Sequence, residues 1–225
     1  METPAIVVNV KTYKEGTGRK GLKIAKIMEK VSEETGASMV IAVQTPDIYM
    51  IASEVKIPVF AQHMDAINCG SHTGWTLPES IKEAGARGVL LNHSEHPLKI
   101  GEIAKGVERA RELQLETIVC ANNIGVTGAV ATLSPDFVAI EPPELIGGDI
   151  SVTKAEPEII KKAVGIVKKI NPSTKVLCGA GVKRGKDVKK AIDLGTEGVL
   201  LASGVVKTGD KEKVLREMAS AIEKK

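Results

Sequence analysis

"AIVVNV", residues 5 to 10, runs straight into "KTYKEGTGRK", residues 11 to 20. The first stretch is apolar at consecutive positions instead of alternating ones, which suits a strand covered on both faces, as in a parallel sheet. The second decides between kinds of parallel sheet. A dinucleotide-binding, doubly wound sheet carries a G-x-G-x-x-G turn after its first strand, and this connection has no such spacing. Nor does the chain contain a P-loop. A parallel sheet can also close on itself, which removes both unpaired edges. On pattern alone an open doubly wound sheet remains the alternative, and the closed barrel is preferred.

The same kind of run recurs at 38 to 43 (SMVIAV), 57 to 62 (IPVFAQ), 88 to 92 (GVLLN), 116 to 121 (ETIVCA), 137 to 141 (FVAIE), 175 to 179 (KVLCG) and 198 to 203 (GVLLAS). With the first, that makes eight candidate strands. Between them lie stretches of helical period, such as Ile24, Ile27, Met28 and Val31, then Ile100, Ile103, Ala104 and Val107, then Ile160, Ala163, Val164 and Val167. Gly36, Gly85, Pro135, Pro172 and Gly195 punctuate the passage from helix back to strand. No linker interrupts the alternation. The expectation is an α/β chain, residues 1–225 forming one (β/α)8 barrel domain.

Composition narrows the function classes. Hydrophobic residues are 43% and charged residues 26%, the mixture of a globular protein with a sizeable core. The net charge of +3 comes from 31 basic and 28 acidic residues interleaved along the chain, and only 2% are aromatic. Neither a basic field nor a stacking platform for nucleic acid is present. No run approaches membrane-spanning length and no leader is visible at METPAIVVNV, so no membrane partner is expected and the compartment is read as cytoplasmic. Cys69, Cys120 and Cys178 are odd in number and set among apolar neighbours, which reads as reduced core thiols.

Barrels of this kind assemble their chemistry at the C-terminal ends of the strands. There the chain delivers Asn9 and Lys11 after the first run, Asn92, His93, Ser94 and Glu95 after the fourth, and Glu141 after the sixth. Runs seven and eight end in Gly179, Ala180 and Gly181 and in Ala202, Ser203 and Gly204, small residues whose backbone N–H groups are open to an anion such as phosphate. Each has a plainer reading as well: glycine for a tight turn, Glu141 as a helix cap, Lys11 as a surface lysine. His93 and His96 with one carboxylate lack the third distant ligand that a zinc site needs.

Taken together, N-x-K (Asn9, Lys11), "NHSE" (Asn92 to Glu95), "EPPELIG" (Glu141 to Gly147) and "GAG" (Gly179 to Gly181) closely resemble the triosephosphate isomerase family, in its compact archaeal branch. The likeness spans essentially the whole chain in order. It implies interconversion of dihydroxyacetone phosphate and D-glyceraldehyde 3-phosphate in glycolysis and gluconeogenesis, without cofactor or metal. It implies Glu141 as the base, a neutral His93 as the electrophile and Lys11 as the cation that binds substrate and stabilises the enediolate. Asn9 would orient Lys11, Glu95 would support it, and the backbone near Ile146, Gly181, Ala202 and Ser203 would hold the phosphate. A helix start at Ser94 to Pro97 would disfavour imidazolium at His93. Pro142 and Pro143 at one end and Gly147 and Gly148 at the other would frame a lid that excludes water.

The chain departs from the family in places: Gly181 stands where many relatives carry serine, Ala202 and Ser203 where they carry two glycines, Pro143 for an aromatic hinge residue and Trp75 for a glutamate. The loop at 63 to 76, "GSHTGW" included, corresponds to one that inserts into a neighbouring subunit, so a homo-oligomer, dimer or tetramer, is expected. Two other functions fit a barrel. A Schiff-base aldolase would need a buried lysine, commonly on strand six, where Glu141 stands. A barrel that only binds a phosphometabolite would not need the Lys11, His93 and Glu141 set.

Overall fold

The structure, a computed structural model, describes residues 1–142 and 157–222. The eight strands are β1 (Ala5–Asn9), β2 (Ser38–Val43), β3 (Val59–Ala61), β4 (Gly88–Leu91), β5 (Glu116–Ala121), β6 (Phe137–Ile140), β7 (Lys175–Cys178) and β8 (Gly198–Leu201). All neighbours pair in parallel, and β1 pairs with β8 to close the barrel. Each strand falls within the run that foreshadowed it, shortened at most by the residues that turn out of the ladder. The described helices are α1 (Arg19–Thr35), α2 (Ile48–Ala52), α3 (Pro78–Glu83), α4 (Ile100–Glu112), α5 (Ile124–Ala131), α6 (Pro157–Ile170), α7 (Gly185–Asp193), α8 (Ser203–Val206) and α9 (Lys211–Ser220).

Consecutive apolar residues sort into two cores because successive side chains on a strand point to opposite faces. One set faces inward: Val7, Val40, Phe60, Leu90, Ile118, Cys120, Phe137, Ala139, Leu177 and Leu200 fill the barrel. Register stacks them in layers, with Val7 beside Val40 and Leu200, and Ala139 beside Cys120 and Leu177. The other set faces the helices, where Ile24, Met28 and Val31 of α1, Ile103 and Val107 of α4 and Ile160, Ala163 and Val167 of α6 cover it. Phe60 is fully buried inside the barrel, and its truncation to alanine costs about 3–5 kcal/mol.

The helical stripes are narrower than the sequence period suggests: Ile27, Ala104 and Val164 are only partly buried, and Ile100, the first residue of α4, is 54% exposed. One expectation about the cysteines fails. Cys120 and Cys178 are buried free thiols, but Cys69 is exposed, because it sits on the long loop after β3 and not on a strand. Among the described residues, no helix is long and apolar enough to cross a membrane.

Candidate active site

The inward alternation of the strands places the polar residues at the barrel mouth. On β1, Val7 points inward, so Asn9 and Lys11 continue on the same side. On β6, Phe137 and Ala139 point inward, and Glu141 extends that row. The ladder runs past the formal strand ends, with Glu141 N–H donating to Ala121 O (2.8 Å) and Gly179 N–H to Ile140 O (2.9 Å). Glu141 is therefore held on the rigid rim, and only 3% of it is exposed.

One depression at this end brings together Asn9, Lys11, His93, Glu141, Gly181, Ala202 and Ser203, joined by Tyr13 and Lys183. The far-apart segments are brought together as the sequence reading requires. His93 Nε2 lies 3.7 Å from Glu141 Oε2, too far for a direct hydrogen bond. Among the described residues, that Oε2 is buried without a hydrogen-bond partner. Burial pushes the Glu141 carboxyl up to about 7, partly opposed by the thiol of Cys120 and the ammonium of Lys11 and reinforced by Glu95. A carboxylate so placed is a stronger base than one in water.

His93 is set as a neutral donor. Its Nδ1 accepts the backbone N–H of Glu95 at 3.2 Å, which leaves the ring proton on Nε2, the nitrogen facing Glu141. Burial holds His93 below the ordinary histidine range, the Lys11 ammonium pushes in the same direction, and Glu95 opposes. The expected helix start at Ser94 to Pro97 is not there. Ser94 and Glu95 form a turn and α4 begins only at Ile100, since Pro97 biases the residue before it away from helical geometry. Desolvation and a neighbouring cation do what a helix terminus was expected to do.

Lys11 reaches the site through a left-handed backbone, φ 51°, and its ammonium pairs with Glu95 at 2.8 Å. Its N–H donates to Asn9 Oδ1 (2.9 Å). Gln62, just beyond β3, holds both: its amide nitrogen lies 3.0 Å from Asn9 Oδ1 and 3.0 Å from Lys11 O. Gln62 is not among the residues expected at the site; its one signal in the sequence is that it ends the apolar run IPVFAQ. Tyr13 on the same rim carries Lys207 over its ring at 4.2 Å, joining the first loop to the end of α8.

The small residues fit tightly here. A β-carbon on Gly179 would lie 2.3 Å from Glu141 Cγ, so only glycine leaves room for the carboxylate. Gly181 has φ 68°, a conformation that a serine would occupy only with strain. Ala202 precedes the short helix α8, whose first turn opens onto the depression. His96 turns aside to stack on His63, ring centroids 4.2 Å apart. Trp75 is 58% exposed, with the His72 ring 5.9 Å away. Ile146, Pro143, Gly147 and Gly148 lie outside the described residues.

Comparison with known proteins agrees with this geometry. Residues 4–220 match the family model described as triosephosphate isomerase. The chain is 55% identical over 221 residues to the triosephosphate isomerase of Methanobacterium bryantii, covering 98% of each chain. It is 55% identical over 217 residues to that of Methanocaldococcus jannaschii, covering 96% of this chain and 99% of the relative. To that of Methanosarcina barkeri it is 52% identical over 222 residues, 99% of this chain and all of the relative.

Proposed function

This chain belongs to the triosephosphate isomerase family, and on that premise we propose that Glu141, His93 and Lys11 divide between them the interconversion of dihydroxyacetone phosphate and D-glyceraldehyde 3-phosphate. The division of labour is carried over from the family. Glu141 takes a proton from the carbon beside the carbonyl and returns it to the neighbouring carbon. The Nε2–H of His93 donates to the carbonyl oxygen, and the Lys11 ammonium offsets the negative charge of the enediolate as it forms. Asn9, bonded to Lys11 N–H and to Gln62, orients that cation.

The phosphate falls to the backbone N–H groups of Gly181, Ala202 and Ser203, with the backbone near Ile146 as a further contact. Small side chains and an open helix turn on two adjacent loops support this assignment. Pro142, Pro143, Gly147 and Gly148 keep the lid role, which protects the enediolate from water and from loss of phosphate. The observation that carries the whole reading is a buried carboxylate oxygen, unpartnered among the described residues, facing the donor nitrogen of a neutral imidazole.

A coupled assay of isomerisation with purified protein tests it, and turnover at background would remove it. Residues 1–225 are taken as one barrel domain. Assembly into a dimer or tetramer goes with the same reading, supported by the exposed Trp75 on the 63–76 loop, and a monomer mass by light scattering would overturn it. A reducing, cytoplasmic setting is consistent with the buried free thiols Cys120 and Cys178.

A further inference from the structure

Strand alternation puts one residue of the site on the wrong side. On β4, Leu90 belongs to the interior of the barrel, while Val89 and Leu91 face the helices. By the same alternation Asn92 would point inward and His93 outward. Instead His93 lines the mouth beside Glu141, and Asn92 is absent from that lining and borders a neighbouring cavity against α4 and α5 that Glu141 and Cys120 also line. Something must turn the chain between Leu91 and His93.

Asn92 has φ 57°, the left-handed region that asparagine tolerates better than other residues with a β-carbon. Its side chain then makes two bonds. Nδ2 donates to Cys120 O on β5 (2.9 Å), and Oδ1 accepts the N–H of Leu98 (2.9 Å). A carbonyl on one side and an N–H on the other fix the amide orientation. Within the segment so pinned, Glu95 N–H bonds His93 Nδ1 and His96 N–H bonds His93 O at 2.7 Å. The turn that presents the imidazole is thus fastened at both ends by one side chain, and one end is tied to the strand directly before β6.

We infer that Asn92 is a positioning residue: it reverses the strand alternation and clamps residues 93–98 to β5 so that His93 Nε2 faces Glu141. This rests on the role given to His93 above. The chemistry requires a reacting group to be held to within a fraction of an ångström, and displacement by about 1 Å can cost about a hundredfold. A side chain that fixes the turn therefore acts on turnover without touching substrate.

Asn92→Gly is the direct test, because glycine keeps the left-handed backbone while removing both bonds. Asn92→Asp serves as a second variant that retains the acceptor for Leu98 N–H and loses the donor to Cys120 O. For Asn92→Gly the expected result is a kcat about tenfold to a hundredfold lower, with KM little changed. The 15N spectrum of the His93 imidazole should also move away from a pure Nε2–H tautomer. Asn92→Asp should fall between wild type and Asn92→Gly in both readouts. Wild-type kcat in Asn92→Gly would overturn the inference, as would a lowered kcat with an unchanged imidazole spectrum. If the wild-type protein lacks isomerase turnover, the proposed reaction fails, and the imidazole spectrum alone still decides whether Asn92 holds the ring.

Discussion

Strand β6 carries a carboxylate at each end, and the two are treated in opposite ways. Asp136, just before the strand, is exposed yet bonded: its Oδ2 accepts the N–H (2.8 Å) and hydroxyl (2.9 Å) of Thr117, whose oxygen accepts the Asp136 N–H in return (3.0 Å). Glu141, just after it, is buried with one oxygen unpartnered among the described residues. Stability alone would favour the reverse arrangement, with the wet carboxylate free and the dry one bonded. The difference shows which end of the barrel holds it together and which end is kept reactive.

The largest expected effect comes from neutralising the mouth carboxylate. Glu141→Gln should lower kcat by about 10²–10⁴-fold, the usual worth of a general base, and Glu141→Asp by about a hundredfold through misplacement. Steady-state kinetics would show it, and a kcat within threefold of wild type would reassign the base.

The same pair of proteins tests the stability side. The folded pKa of Glu141 is raised from 4.5 to about 7, so the proton it retains on folding favours the native state below 4.5. That advantage is lost as pH rises towards 7. Glu141→Gln should match wild type near pH 4 and exceed it by on the order of 3 kcal/mol at pH 8, measured by urea unfolding across that range. Equal stability at pH 8 would mean that the carboxylate is not held under strain.

Gly179 sharpens the contrast, because the side chain its missing β-carbon makes room for is Glu141. Gly179→Ala places a β-carbon against Glu141 Cγ and should cost about a hundredfold in kcat if the carboxylate moves by about 1 Å. Unchanged kinetics would show that the rim is looser than described. The smallest effect belongs to the floor: Asp136→Ala should lose about 1 kcal/mol of stability and leave kcat within twofold. A large kcat loss there would break the comparison.

Much of this was legible in the chain itself. Consecutive apolar residues located every strand to within a residue or two, because burial on both faces of a parallel sheet leaves no alternation to misread. Asn9, Lys11, His93 and Glu141 could be picked out because each is a polar group at or just beyond the end of an apolar run. What stayed hidden depends on register between strands far apart in sequence. Gln62 bonds to β1, Cys120 lies next to Glu141, Gly179 makes room for Glu141 and Asn92 reaches β5. No local pattern announces such neighbours. The misplaced helix start after His93 and the exposed Cys69 have a local origin instead, since Pro97 delays α4 and the loop after β3 carries its cysteine away from the core.

Titrating the Glu141 carboxyl carbon by 13C NMR in the unliganded protein tests the central claim most directly. A midpoint near 7 is predicted; a midpoint at or below 4.5 would show a hydrated, satisfied carboxylate and contradict the account.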